Sequence, residues 1–283
     1  MLKVLKAGFY TTIQDRGRAG FASIGVPISG SMDWYSADLA NGILNNSTEE
    51  AVLEITLGAC QFQFLAATII CITGGDFSPT INSNPIQLQK SVFVEKGAML
   101  SFRKVNYGVR CYLAIKGGIQ SQKKLNSRSF YPNITNNFII KKNDILSYMP
   151  FDYDVNDSKS IIKIEKNHFE SAVIECYKGP EFDLLNQHQQ NQILAQTFTI
   201  SRENNRMGYK LNEEILNDLP QQLTSAVLPG TVQLTPSGKL IVLMRDCQVT
   251  GGYPRILQLT EVAINKLAQK TTDNSFRFSI ISI

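Results

Sequence analysis

Val109-Arg110-Cys111-Tyr112-Leu113-Ala114-Ile115-Lys116 puts an apolar residue at every odd position and is closed by Gly117-Gly118. A period of two held over eight residues is the signature of a β-strand. Working outward, the same period runs through Leu53-Glu54-Ile55-Thr56-Leu57, Gln61-Phe62-Gln63-Phe64, Thr68 to Ile72, Ser91 to Glu95 and Leu100-Ser101-Phe102, separated by Gly, Pro or Asn turns. Residues 3–14 open the chain as a strand and turn. Many short strands at close spacing, with few helices, predict a mainly β barrel or sandwich.

One helix interrupts this half. Gly25-Val26-Pro27-Ile28-Ser29-Gly30-Ser31-Met32-Asp33 reads as a loop feeding a capped helix. Met32, Tyr35, Leu39 and Ile43 mark one face of that helix, which spans 32–45 and ends at Asn45-Asn46. The most polar segment, 152–160, predicts a linker. It divides the chain into an N-terminal β half, 1–158, and a C-terminal half, 159–283.

The second half opens with a strand from Ala172 to Tyr177, then Lys178-Gly179-Pro180-Glu181-Phe182. That order of strand, Gly and Phe echoes 54–62, and Ile115-Lys116-Gly117-Gly118 echoes Val249-Thr250-Gly251-Gly252, which suggests related β units. A Gln-rich helix covers 183–196, a short one 260–268, and a closing strand runs from Ser275 to Ile283. The strongest hairpin joins Ala226–Thr235 to Lys239–Val249 through Pro236-Ser237-Gly238, with Gln233 facing Ile241 and Val242.

That hairpin leads to the candidate site. Leu240, Val242 and Met244 lie on one face, and continuing the alternation puts Asp246, Gln248 and Thr250 on the same face. Gly251-Gly252 admits a positive φ or the close approach of a ligand, and Tyr253-Pro254 stiffens the exit. The stretch reads equally as a site or as a strand running out into a turn. Arg206, within Asn204-Asn205-Arg206-Met207-Gly208-Tyr209-Lys210, suits a bidentate clamp on a carboxylate or phosphate, or a turn-stabilising arginine. Asp15, between Arg16 and Arg18, reads as a structural ion pair or as part of a site. With no well-placed histidine, Asp246 is the leading candidate for a general base, and a structural role fits it nearly as well.

Composition narrows the classes. The chain has 283 residues, 43% hydrophobic and 18% charged, with a net charge of +4 and no long Lys/Arg cluster, so neither a nucleic-acid nor a membrane partner is expected. The longest apolar stretch, 62–72, is too short to span a bilayer, and the N-terminus lacks a signal-peptide run. Five cysteines without Cys-x-x-Cys fit buried thiols in a reducing, cytoplasmic setting. Two histidines make a His-based metal site improbable. Walker, Gly-x-Gly-x-x-Gly, Gly-x-Ser-x-Gly and His-Glu-x-x-His motifs are all missing from the sequence.

Several longer segments are specific. Thr11-Thr12-Ile13-Gln14-Asp15-Arg16-Gly17-Arg18, Gly25-Val26-Pro27 through Ser29-Gly30-Ser31-Met32-Asp33, Leu53-Glu54-Ile55-Thr56, Ser127-Arg128-Ser129, Asn205-Arg206-Met207-Gly208-Tyr209 and Gln248-Val249-Thr250-Gly251-Gly252-Tyr253-Pro254 together resemble the KipA family. That family is also known as the 5-oxoprolinase C-subunit family, allophanate hydrolase subunit 2 or the biotin-dependent carboxyltransferase-like family. The resemblance runs from about residue 4 to the C-terminus, in order. Val249 departs from the family's Gln-Thr-Thr-Gly-Gly-Tyr, Val232-Gln233-Leu234-Thr235 keeps only the Gln of Ile-Gln-Val-Pro, and the segment after Tyr131 is shortened.

The resemblance implies tandem cyclophilin-like β-barrels and a heteromeric partner, the KipI-type B subunit. It also implies a third 5-oxoprolinase component, the A subunit, with which such pairs cleave 5-oxo-L-proline to L-glutamate using ATP with magnesium. Catalytic roles would fall to Asp246 and Arg206. Substrate contacts would fall to Asn205, Arg206, Gln233, Gln248, Thr250, Gly251, Gly252 and Tyr253, with an N-terminal contribution from Asp15, Arg18, Ser29 and Asp33. Two alternatives accompany this reading: a carboxyltransferase half of a urea carboxylase or allophanate hydrolase system, and a regulator that sequesters a KipI-type kinase inhibitor. The chain contains no Met-Lys-Met acceptor, so no covalent biotin is expected on it.

Overall fold

A computed structural model of the chain describes residues 1–152, 162, 164–220 and 222–282. Two compact units result: Met1–Arg18 with Ser29–Glu165, and Ala19–Ile28 with Lys166–Ile283. The expected linker at 152–160 and the 158/159 boundary fall almost wholly on 153–161, outside the described residues. The excursion of Ala19–Ile28 into the second unit has no counterpart in the sequence reading.

The first unit contains β1 (Leu2–Ala7), β2 (Tyr10–Gln14), α1 (Trp34–Ile43), β3 (Val52–Thr56), β4 (Cys60–Phe64), β5 (Thr68–Asp76), β6 (Thr80–Ile81), β7 (Asn84–Pro85), β8 (Ser91–Val94), β9 (Met99–Ser101), β10 (Tyr107–Ile115) and β11 (Ile145–Leu146). They form two sheets, ordered β11-β1-β4-β9-β6-β7 and β2-β3-β10-β5-β8. A shared core of Leu2, Val4, Phe62, Phe64 and Leu100 from one sheet meets Ile13, Leu53, Ile72, Cys111, Leu113 and Ile115 from the other. The odd positions of β10 therefore face this core, as the alternation predicts.

The even positions of β10 are buried too, because α1 covers that face. Ala37, Ala40 and Leu44 pack on Ile69, Cys71, Tyr112 and Ala114. This corrects part of the face assigned from sequence: Ile43 does pack against this cluster, but Tyr35 is 46% exposed, and small residues, Ala37 and Ala40, meet the sheet. Asp33 caps the helix, accepting from Ser36 N at 3.1 Å and Ser36 Oγ at 2.6 Å.

The second unit contains α2 (Asn167–Glu170), β12 (Val173–Lys178), α3 (Gln187–Ala195), β13 (Phe198–Asn204), β14 (Gly208–Glu214), β15 (Ser225–Ala226), β16 (Thr231–Leu234), β17 (Lys239–Leu243), β18 (Thr250–Gly251), β19 (Arg255–Leu259), α4 (Glu261–Ala268) and β20 (Ser275–Ile280). Seven strands close a barrel in the order β12-β19-β16-β17-β14-β13-β20, the expected architecture for this half. Asn186 caps α3 through a capping box with Gln189. The β13–β14 hairpin and β19 were not recognised from sequence. Their polar ends, Arg202-Glu203-Asn204 and Asn212-Glu213-Glu214, mask the alternation at Phe198, Ile200, Tyr209 and Leu211.

Candidate functional site

The register of β16 and β17 pairs Gln233 with Ile241 and Val232 with Val242, matching the hairpin read from sequence. The strand stops earlier than expected, at Leu243. Asp246 and Gln248 consequently do not continue its face. They lie on a loop that turns back at once, with Cys247 N donating to Met244 O at 3.0 Å. Thr250 belongs to β18, which pairs with β15.

Arg206 and Asp246 hold this loop against the β13–β14 turn. Arg206 Nε and Nη2 donate to Asp246 Oδ2 and Oδ1 at 2.8 and 3.0 Å, and both side chains are buried. Asp246 N also donates to Arg206 O, and Met244 N to Met207 O, each at 2.9 Å. The neighbouring Arg245 turns the other way, to Glu261 and to Asn265 Oδ1 at 3.1 Å, tying the loop to α4. The roles expected for Arg206 as a substrate clamp and Asp246 as a general base do not match this arrangement. Each ion is engaged by the other, and neither lines the cleft described next. Their geometry is that of positioning residues.

What they position is a cleft of ≈ 900 Å³ beside the β14–β16–β17 face opposite Leu240 and Val242. Ile241 and Leu243 give it an apolar floor, while Asn205, Gln233, Gln248 and Tyr253, four of the residues expected from sequence, lie along it. Asn205 Oδ1 accepts from Met207 N at 2.7 Å and Gly208 N at 3.3 Å, which fixes the turn and leaves its amide nitrogen as the group to present. Gln248 makes no side-chain hydrogen bond among the described residues. Gln233 is buried, and its Nε2 reaches Tyr253 O at 3.5 Å.

Gln233 also explains Gly251. A Cβ there would come within 2.5 Å of Gln233 Nε2, whereas one on Gly252 would meet only Gln222 O at 3.5 Å. Neither glycine has a positive φ. The first needs its hydrogen for close approach, and the second has no such need.

Arg202, Lys210 and Lys239 add three cations to the lining, against the single carboxylate of Glu203. Arg202, Glu203 and Lys210 were missed in the sequence because they belong to the hairpin that was not recognised, and Lys239 because nothing in its own hairpin ties it to the other three. Among the described residues, no group of three or more His, Cys, Asp or Glu could hold a metal, and no helix is long and apolar enough to cross a membrane.

Asp15, Arg18, Ser29 and Asp33 lie in the first unit and have their own network. Asp15 Oδ1 accepts from Ser127 Oγ at 2.7 Å, Ser129 Oγ at 2.5 Å and Gly17 N at 2.8 Å, and its Oδ2 accepts from Arg128 N at 2.5 Å. The flanking arginines turn elsewhere: Arg16 to Asp38, and Arg18 to Ser129 O. The reading of Asp15 as an ion pair is corrected to a carboxylate met by hydroxyls and amides. Gly30 lies against this turn, where a Cβ would meet Arg16 C at 3.0 Å.

Glu54 anchors the next stretch of the loop. It accepts from Met32 N at 2.7 Å and Tyr112 Oη at 2.9 Å, and Tyr112 Oη accepts from Asp33 N at 2.8 Å. Burial and the nearby Glu54 carboxylate push the Tyr112 hydroxyl well above its ordinary pKa, so it keeps its proton and donates. The segments 11–18, 29–33, 53–56 and 127–129 thus hold one another. Ser29 is fully buried at φ 58° in that loop.

Fold and cleft together define a two-unit β protein whose closed barrel carries an amide- and cation-lined cleft. The chain belongs to the carboxyltransferase domain family, subdomains A and B, whose model matches residues 24–280. It is similar to the 5-oxoprolinase C subunit of Escherichia coli, with 31% identity across 95% of this chain and 87% of that protein. The corresponding 5-oxoprolinase C subunit of Haemophilus influenzae is 27% identical over 100% and 92%. Among solved structures, K. lactis urea amidolyase superposes on 99% of the chain with a TM-score of 0.85 at 27% identity. This chain spans about a fifth of that protein's length, 19%.

Proposed function

We propose that this chain is the C subunit of a heteromeric, ATP-dependent 5-oxoprolinase, cleaving 5-oxo-L-proline to L-glutamate with a KipI-type B subunit together with the A subunit. The observation that carries this reading is the near-full-length likeness to proteins named as the 5-oxoprolinase C subunit. The cleft is chemically suited to a lactam. Its apolar floor takes ring methylenes, and Asn205, Gln233 and Gln248 supply amides able to pair with an N–C=O group. Fixed donors of this type are also what a developing oxyanion requires.

A lactam resists attack because its nitrogen lone pair is delocalised into the carbonyl. Transfer of a phosphoryl group to the carbonyl oxygen removes that delocalisation, and this is what ATP supplies. The part proposed for this chain lies in its cleft. Its own residues bind and orient.

A carboxyltransferase half acting on urea is the second reading, favoured by the superposition on urea amidolyase. Urea shares the N–C=O group that the amides would recognise. The deciding assay is ATP-dependent glutamate release from 5-oxo-L-proline, using this chain co-purified with its KipI-type partner and supplied with the A subunit. Turnover that vanishes when this chain is omitted supports the first reading. A stable complex without turnover on 5-oxo-L-proline, but with transfer of the carboxyl group of added carboxybiotin to urea, releasing biotin, replaces it with the second.

A further inference from the structure

Among the described residues, one charge of the cleft is left unanswered. Lys210 Nζ lies 2.8 Å from Glu203 Oε2, and Lys239 Nζ lies 3.0 Å from Glu214 Oε1. Arg202 is exposed, lines the cleft and has no ion-pair or hydrogen-bond partner among the described residues.

Its direction has a structural cause. Along β13, Phe198 and Ile200 point to the buried face, and strict alternation would send residue 202 the same way. The β13–β14 register shifts between Ile200 and Asn204, and with that irregularity Arg202 turns outward. A break in register that redirects one side chain is kept at the expense of regular ladder pairing. Here it delivers a planar five-donor cation to a cleft otherwise lined by amides and paired charges.

We propose that Arg202 recognises the carboxylate of the ligand, so that the cleft selects a small lactam carrying a carboxylate over the same ring without one. This deepens, and rests on, the reading of the cleft as a 5-oxo-L-proline site. Carboxylate recognition thereby moves from Arg206, held by Asp246, to Arg202, four residues earlier. The amides of Gln233, Gln248 and Asn205 are left for the lactam group.

The test measures binding of 5-oxo-L-proline, 2-pyrrolidinone and inorganic phosphate to the full chain by ligand-observed NMR. Arg202→Gln and Arg202→Lys are compared with wild type. Because the side chain is exposed, both variants are expected to keep the wild-type melting temperature. The wild-type chain should prefer 5-oxo-L-proline to 2-pyrrolidinone. Arg202→Gln should weaken 5-oxo-L-proline about tenfold or more while leaving 2-pyrrolidinone unchanged, and Arg202→Lys should recover part of the loss.

Unchanged affinity for 5-oxo-L-proline in Arg202→Gln overturns the proposal. So does an equal loss of both lactams, a loss confined to phosphate, or a wild-type chain that does not distinguish the two lactams. The assembled complex separates this from the underlying reading. Turnover with the same KM in Arg202→Gln overturns Arg202 and leaves the oxoprolinase in place. Arg202-dependent binding without turnover in the wild-type complex supports Arg202 and overturns the oxoprolinase.

Discussion

Arg206 and Asp246 share two hydrogen bonds where water is excluded, and that geometry governs what their substitution does. Bringing both ions out of water costs about as much as their attraction returns, so the intact pair contributes little net stability. Removing one partner is different, because the remaining charge stays buried. Arg206→Ala is therefore expected to destabilise the chain by about 3–5 kcal/mol, read from the shift in denaturation midpoint. Replacing the pair by apolar residues, Arg206→Met with Asp246→Leu, should recover most of that loss. If the single variant matches wild type in stability, the pair does not hold the loop. The residue types were legible in the sequence, but the pairing was not, since forty positions separate the two and no spacing rule connects them. Arg202 was hidden for another reason. A shift in register breaks the alternation by which a strand residue is assigned to a face.

The helix α1 makes the corresponding point at the level of elements. Its apolar bulk, Tyr35, Leu39 and Ile43, has helical spacing, and the helix was identified from it correctly. The face that packs was assigned only in part, Ile43 packing and Tyr35 not, because a helix lying close on the β5–β10 sheet needs small residues there. Ala37 and Ala40 supply them and are 5% and 0% exposed. Close packing of this kind is intolerant of added volume. Ala40→Leu is expected to cost about 1–3 kcal/mol, whereas Tyr35→Ala should stay within about 0.5 kcal/mol. Equal effects in a denaturant titration would refute the assignment of the buried face. The β16–β17 hairpin shows the opposite case. Its apolar alternation and its Pro-Ser-Gly turn agree, so the register at Gln233 and Ile241 could be read before any coordinates.

At the scale of the molecule, a mainly β organisation followed from strand spacing, while the packing of 19–28 with the second unit did not, because local periodicity carries no information about which unit a loop joins. The cysteines offer a test that spans both units. All five are buried and unpaired, three in the first unit and two in the second. Burial pushes Cys60, Cys71, Cys176 and Cys247 up to about 12, and Cys111 well above its ordinary value. Since the thiolate is the reactive form, a folded chain at neutral pH presents almost none of it. A chromogenic disulfide reagent should titrate no thiol in the native chain within minutes, and five after denaturation in guanidinium. Cys247 lies on the loop that Arg206 and Asp246 hold, packed with Val227 and Leu243. In Arg206→Ala it should become the first thiol to react, giving one equivalent at denaturant concentrations where the other four stay silent. Release of all five together would mean that the pair stabilises the whole barrel rather than the loop, and one fast thiol in the wild-type chain would contradict the burial on which the argument rests.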